Sequence, residues 1–438
     1  MKLNKKYLTL AFVIVVVLAI AGGIFYYQFN SKKEESESFT VSYKELKAEE
    51  VDDLSKIESQ EKIVYAQREV IDNKGNENVY QTRYYVTNSK GEKKYNFYTA
   101  DDLTFEIGYP YLEDKILILT EFGQADNRVV NLKGEVLKEV FIPGIDFGTD
   151  FVVSDDHKKV AYLENQSKAN LENELSFDFN YLIKVKDLES GVVEEFNPEE
   201  IKHEEIEYSQ FVPGAFSQDG KKLYIFASQY GLDLSYQNPN GLYEINLENN
   251  QIKEIYYSSI ENQEEKDLLV LLGVFPRQNL ALVNRGPRLS KDDETVFRTQ
   301  IQKINLETGE FKDLYIDEYT DRVGSGGKIL SPDGHKLILL NNAYYDRGLS
   351  LYNLETKKMT KLLDQGEFVT WMSDNQTIIY RLYKTKENEP GQIDQTVEIH
   401  SLNIDTGGDY KLYSQESVNE GTGMNEMGDK FYTFIGLI

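Results

Sequence analysis

One short element recurs along the chain and limits what it can fold into. It is an apolar residue, Ser, a variable residue, Asp, then Gly or another turn former, one or two polar residues and an apolar run. It reads VSDDHKKVAYL from Val153, FSQDGKKLYIF from Phe216 and LSPDGHKLILL from Leu330, with looser copies FPRQNLALV from Phe275 and WMSDNQTIIY from Trp371. A second element follows each copy: an alternating strand ending in Asn-Leu or Asp-Leu, an acidic turn, and another strand. Examples are YLIKVKDLESGVVEEF from Tyr181, GLYEINLENNQIKEIY from Gly241, IQKINLETGEFKDLY from Ile301 and LSLYNLETKKMTKLL from Leu349, with a looser VEIHSLNIDTGGDYKLY from Val397. The turn-proximal leucines then fall at Leu188, Leu247, Leu306, Leu354 and Leu402, at intervals of 59, 59, 48 and 48. Each unit is two hairpins, hence four strands. Asp-Gly suits a tight hairpin because Gly, and to a lesser degree Asp, tolerates positive φ, and Pro332 presets φ at the first turn corner. A lone four-stranded sheet cannot bury both faces, so such units stack around an axis.

Composition agrees with strands. The 438 residues include 31 Tyr and 22 Phe but only 9 Pro, and aromatics fit pleated, half-buried surfaces. The SPDG-type hairpin followed by an alternating strand and an L-E-T-G turn resembles the TolB-type β-propeller repeat, a relative of the WD-repeat blades. The resemblance covers residues 150–415 well and 62–145 poorly, and blade five lacks the Asp-Gly turn. It implies an all-β β-propeller of four-stranded antiparallel blades: seven, within a range of six to eight. The blades are placed near residues 62–104, 105–144, 145–200, 208–260, 267–318, 322–365 and 367–416. The tail GMNEMGDKFYTFIGLI from Gly423 resembles a first hairpin with no second half. It is expected to complete the N-terminal blade, so that the ends of the ring meet.

Upstream of the repeats the chain changes character. Residues 7–31 carry no charge, and Leu8 to Tyr27 gives 20 mostly apolar residues, about 30 Å as a helix and so about one hydrocarbon thickness. Residues 1–30 therefore read as a cytoplasmic tail and one N-terminal transmembrane helix. Lys2, Lys5 and Lys6 before the run favour N-inside topology, with the propeller outside a bacterial cytoplasmic membrane of the Gram-positive type. Ala19-Ile20-Ala21 also suits signal-peptide cleavage, which would release a species beginning at Gly22. Residues 31–61 are rich in Glu and Asp and read as a charged stalk or linker, with a short helix over Tyr43–Ser59. Residues 62–438 are the propeller domain.

Charge and residue types narrow the function. Formal net charge is −26, and the first 30 residues supply three lysines and no acid, leaving −29 on the rest. Phosphate binding needs a basic stripe that such a surface lacks, so nucleic acid is not an expected partner. With no Cys, disulfides, thiol catalysis and cysteine-ligated metals are excluded. The four histidines are scattered: His157 and His335 in hairpin turns, His203 in an acidic loop, His400 on a strand. There is no G-x-S-x-G elbow, and GSGGK at Gly324 lacks the phosphate-loop spacing. The acidic groups at Asp101 and Asp102, Asp155 and Asp156, and Asp292, Asp293 and Glu294 do not follow the D-x-[DN]-x-[DN]-G calcium pattern. No catalytic residue, metal ligand or cofactor is therefore assigned. The resemblance agrees, since its family includes scaffolds, binding proteins and the non-catalytic halves of peptidases.

If both turn types lie on one face, the second-to-third loops crowd the other. These loops are long: NQSKANLENELSFDFN from Asn165, SQYGLDLSYQNPNG from Ser228, NRGPRLSKDDETVFRT from Asn284, NNAYYDRG from Asn341 and KTKENEPGQIDQT from Lys384. They hold the candidate binding residues Tyr230, Tyr236, Arg285, Arg288, Tyr344, Tyr345 and Arg347, the arginines drawn from only ten in the chain. The expectation is a binding or scaffolding module for a protein, peptide or glycan. The alternatives are a glycan- or peptide-processing enzyme with its site in the funnel, or a sensor subunit of a membrane complex.

Overall fold

The computed structural model describes residues 39–45, 47–59, 61–74, 77–102, 106–111, 114–120, 127–137, 142, 151–165, 181–204, 206–208, 210–228, 240–257, 267–291, 294–297, 299–317, 329–341, 348–389, 392–418 and 430–437. They form seven small, mainly antiparallel sheets arranged as the blades of a propeller, and a separate two-stranded pair of Lys202–His203 with Ile206–Glu207. Blade 4 shows the unit plainly: Gln210–Phe216, Lys222–Ser228, Asn240–Asn246 and Gln251–Tyr257, each pairing with the next. Blade 3 repeats it from Phe151 to Phe196, blade 5 from Asp267 to Asp317 and blade 7 from Glu367 to Val418. Blades 2 and 6 hold three described strands each, extended by the bridges Val130–Val136 and Leu330–Leu337. Blade 1 is built from both ends of the chain. Lys430–Leu437 pairs with Ile63–Lys74, which leads to Glu77–Thr87 and Lys93–Asp102.

Period-2 alternation explains why the blades stack. Ile116 and Ile118 face blade 1, where they meet Tyr84, Val86 and Phe97. Leu117 and Leu119 face blade 3, where they meet Val160 and Tyr162. Leu223 and Ile225 likewise pack with Ile183 and Val185, whereas Tyr224 packs with Ala281 and Val283. Neighbouring first strands touch, with Lys430–Leu437 against Glu106–Pro110 and Phe151–Val153 against Gln210–Phe216, so the first strands line the axis. The single tryptophan, Trp371, crosses an interface, its indole N–H donating to the Ile329 carbonyl at 3.1 Å.

Both turn families have a chemical reason. In the first hairpin, Ser154, Ser217 and Ser331 each donate a hydroxyl to the Asp two residues on, at 2.6, 2.6 and 2.5 Å. The same hydroxyls accept the amides of Lys159, Lys222 and Lys336 at 2.9 Å. Ser and Asp thus clasp the loop from inside. His157 stands where Gly220 and Gly334 stand in the other copies, at φ 56°. In the second turn the Asp187, Asn305, Asn353 and Asn403 side chains accept amides two and three residues on, an Asx turn.

The residue after this Asx residue ties the two turns together. The amides of Leu188, Leu247, Leu306 and Leu354 donate to the carbonyls of Lys158, Lys221, Asn279 and His335. In the last copy the donor is Ile404, bonding to Gln376, and not Leu402. The recurrence is therefore set by the Asx residue before the turn, and Leu402 is a core residue of the strand.

Two N-terminal expectations need separate treatment. The apolar run from Tyr7 to Ser31 lies outside the described residues, and among those described no helix is long and apolar enough to cross a membrane. The helix expected over Tyr43–Ser59 is not formed. Instead Ser42–Glu45 adds to blade 7 as a parallel fifth strand, and Glu49–Val51 adds to blade 1 in the same way. Only Leu54–Lys56 is helical, as one 3-10 turn. The cause is backbone pairing with open sheet edges, in a register that sets Glu45 opposite Lys411, Glu49 opposite Lys93 and Glu50 opposite Lys94. This strap crosses the seam where the ring closes.

The turn glycines separate local from interblade strain. Gly191 and Gly309 both sit at φ 74°, but a Cβ on Gly191 would meet nothing within 4 Å. A Cβ on Gly309 would run into the Ile255 carbonyl oxygen of blade 4. Gly191→Ala should cost about 1 kcal/mol, the left-handed backbone penalty alone. Gly309→Ala should cost about 2–4 kcal/mol, because a neighbouring strand must move. Denaturant unfolding of the two variants side by side measures the difference.

Candidate functional site

The two ends of the propeller are built differently. At the end carrying both turn families, side chains from one blade bond the turns of the next. Lys159 reaches the Gly220 carbonyl at 3.0 Å, Gln278 the Pro332 carbonyl at 2.6 Å and Lys336 the Asn375 carbonyl at 3.0 Å. The Asn375 side chain accepts the Asp333 amide at 2.7 Å, and Glu61 accepts the Ser373 amide at 2.6 Å across the seam. Arg277 of blade 5 pairs with Asp155 of blade 3 at 2.9 Å, passing over blade 4. This belt braces the turn face.

At the opposite end, three hairpins outgrow their blades. The second strand of blade 4 has 7 residues, against 12 in blade 1 (Ile63–Lys74), 12 in blade 5 (Leu280–Lys291) and 13 in blade 7 (Thr377–Glu389). At about 3.3 Å per residue the longer strands project roughly 15–20 Å further. Two of the segments expected as loops are therefore strands. KTKENEPGQIDQT continues the ladder of blade 7, with Lys384 opposite Thr396 and Glu387 opposite Ile393. NRGPRLSKDDETVFRT continues blade 5, whose second strand folds back against Glu294–Phe297. Their sequences lack the alternation that marks a strand.

The candidate residues are placed as follows. Arg285 lies opposite Leu269 and Arg288 opposite Phe297, both on the projecting strand of blade 5. Tyr230, Tyr236, Tyr344, Tyr345 and Arg347 lie outside the described residues. The structure thus puts two of the seven on the hairpin end. Among the described residues no group of three or more His, Asp and Glu could hold a metal ion.

Two polar clusters were not legible in the sequence. His400, 1% exposed, has Nδ1 3.1 Å from Asp409 and Nε2 3.0 Å from Glu398. The Tyr380 hydroxyl donates to Asp409 at 2.8 Å, and Lys384 bonds Glu398 at 2.6 Å. Burial works to raise the Glu398 pKa, but hydrogen bonds from Lys384 and His400 outweigh it and hold the carboxyl below its ordinary value. The second cluster joins blade 3 to blade 4. His203 stacks on Tyr257 at 3.5 Å and meets Glu254 at 2.8 Å, and Glu254 accepts the Tyr243 hydroxyl at 3.1 Å. Tyr208, pushed up to about 12 by burial, stays a neutral partner for Tyr243 at 3.0 Å. The His400–Asp409 contact is buried, whereas the His203–Glu254 pair is partly exposed.

With this geometry in hand, known proteins offer a comparison. No protein-family model and no curated protein matches the chain. Similar solved structures include an oligogalacturonate lyase in complex with manganese, at 13% identity over 73% of this chain and 87% of that one, TM-score 0.49. TolB from Acinetobacter baumannii is 13% identical over 84% and 82%, TM-score 0.34. A Mycobacterium tuberculosis puromycin-hydrolyzing peptidase is 12% identical over 79% and 52%, TM-score 0.47, so the chain spans about half of it. These are likenesses of fold alone, and they include enzymes as well as TolB. The repeats and the seven blades are those of a β-propeller.

The hairpin aspartates also set a pH dependence. Donation by Ser154 and Ser217 holds Asp156 and Asp219 below the ordinary carboxylate range. At Asp333 partial burial works the other way, and the Ser331 hydroxyl and His335 amide outweigh it. A depressed folded-state pKa gives stability that is complete above the unfolded value, about 3.9, and lost as pH falls through the folded value. The variant Asp156→Asn, Asp219→Asn, Asp333→Asn should therefore melt lower at neutral pH and lose less on acidification below that range. A melting series at decreasing pH checks it.

Proposed function

We propose that the chain is a membrane-anchored, extracytoplasmic propeller serving as a non-catalytic binding or scaffolding module. Its partner is a protein, peptide or glycan, received at the end of the projecting hairpins. The observation that carries this reading is the asymmetry of the two ends. On the turn face the Ser–Asp clasps and the interblade belt already occupy the turn polar groups. On the other face, blades 1, 5 and 7 extend second strands of 12, 12 and 13 residues, against 7 in blade 4, and segments carried by a rigid scaffold commonly hold binding residues.

Arginine supplies planar, multi-donor recognition, and on a surface this acidic Arg285, Arg288 and Arg347 would stand out to an acidic partner group. The uncharged run from Tyr7 to Ser31 supports the anchor.

Photocrosslinking amino acids at Lys291 and Glu389, and separately at Glu248 and Glu355 on the turn face, test the reading in intact cells. Adducts are expected from the first pair only. Replacing Arg285, Arg288 and Arg347 together with Ala should weaken them by roughly tenfold or more, at about 1.5–3 kcal/mol per lost charged hydrogen bond. The melting temperature should hardly move. Adducts confined to the turn face and indifferent to the triple substitution would place the site at the wrong end.

A further inference from the structure

The strap fixes where the chain leaves the propeller, and with it which end faces the membrane. The Ser42 amide donates to the Gly407 carbonyl at 2.7 Å, and Ser42 to Glu45 run parallel to Gly408–Lys411. Phe39 and Val41 pack against the interblade core of blades 5 to 7. The turn from Asn403 to Gly407 belongs to the turn face, because Ile404 is bonded to Gln376 of the first hairpin at 2.7 Å. The strap runs parallel to a strand that starts at that turn, so its N-terminal end, Phe39, sits at the rim of the turn face.

Length decides the rest. From Ser31, where the uncharged run ends, to Phe39 is eight residues, at most about 29 Å of fully extended chain. The blade 7 strand from Thr377 at the turn face to Glu389 at the hairpin tip has 13 residues, about 43 Å at 3.3 Å per residue. A tether leaving the turn-face rim is too short to let the hairpin tips meet the membrane. We propose that the propeller is held with its turn face toward the bilayer and its projecting hairpins pointing away, presenting Arg285 and Arg288 to extracytoplasmic partners. Electrostatics sets the spacing. The chain outside the first 30 residues carries −29, and repulsion from anionic lipid acts within a Debye length, about 8 Å at physiological salt. The tether exceeds that distance, so the turn face stands off the surface without docking on it.

This orientation rests on the anchor reading above, and one experiment separates the two. The chain has no Cys, so single-cysteine variants label cleanly. Glu189→Cys and Thr356→Cys mark the turn face on blades 3 and 6, and Lys291→Cys and Glu389→Cys mark the hairpin tips of blades 5 and 7. Full-length variants carrying a donor dye are reconstituted into phosphatidylcholine–phosphatidylglycerol vesicles containing acceptor-labelled lipid. Flotation after a high-salt wash comes first: a chain that fails to float overturns the anchor reading, and the orientation falls with it. For a chain that floats, energy transfer to lipid is expected to be several-fold higher from both turn-face positions than from both tips. Equal or higher transfer from the tips overturns the orientation while leaving the anchor intact. High transfer from Thr356→Cys with low transfer from Glu189→Cys would show a propeller lying on its edge, and would overturn it as well.

Discussion

No blade of this protein can stand alone, because its inner strands throw apolar side chains onto both faces of the sheet. Tyr224 is buried toward blade 5 while its neighbours Leu223 and Ile225 are buried toward blade 3. Every interface therefore needs a blade on each side, and the need is satisfied only when the last blade meets the first. Closure is made in backbone hydrogen bonds between the chain ends, from Ile63 opposite Leu437 to Glu69 opposite Lys430. It is sealed by Ile63, Tyr65 and Tyr85 of blade 1 against Ile379, Ile399 and Tyr413 of blade 7. The strap adds a third tie, since one short segment pairs with the outer strands of both blades. Of its charge pairs, Lys94–Glu50 spans 3.6 Å at a partly exposed site, and such pairs contribute little on their own. Their effect is on register, placing each strap strand on its own blade edge.

The fold was legible wherever local chemistry and burial act on the same residues. The Ser-x-Asp-Gly copies announce a hairpin because the Ser hydroxyl and Asp carboxylate close the turn internally, and the following alternation announces a strand because both of its faces are packed. Even the looser copy from Trp371 keeps the backbone solution, with Asn375 taking positive φ where the better copies use Gly. The reading slipped at Leu402 because two residues shared a pattern for different reasons. Leu402 is apolar as a core residue, whereas Ile404 occupies the turn-tying position through its amide.

What was not legible depends on partners distant in sequence. Residues 42–51 carry no strand periodicity of their own; they become strands because two sheet edges offer unpaired amides and carbonyls with lysines at matching positions. The projecting parts of blades 5 and 7 were hidden for the opposite reason. Their ladders continue, with a register shift between Glu387 and Glu389 in blade 7, but their sequences carry no apolar alternation to betray them. The site reading depended on these segments. It expected Arg285 and Arg288 on a loop, and the structure places both on the second strand of blade 5.

The His400 cluster shows how the strap and the blade beneath it are chemically joined. His400 meets Asp409 through Nδ1 and Glu398 through Nε2, so both ring nitrogens are engaged by buried carboxyl groups. The imidazole lies between the rings of Tyr380, 5.0 Å away, and Tyr43 of the strap, 5.6 Å away. Lys384, which also bonds Glu398, lies 5.8 Å over the same Tyr43 ring. Leaving either carboxylate without its partners would strand a buried charge, a far larger cost than losing an exposed ion pair. The strap therefore does more than cover a sheet edge, because Tyr43 lies on the buried imidazole whose partners join the third and fourth strands of blade 7.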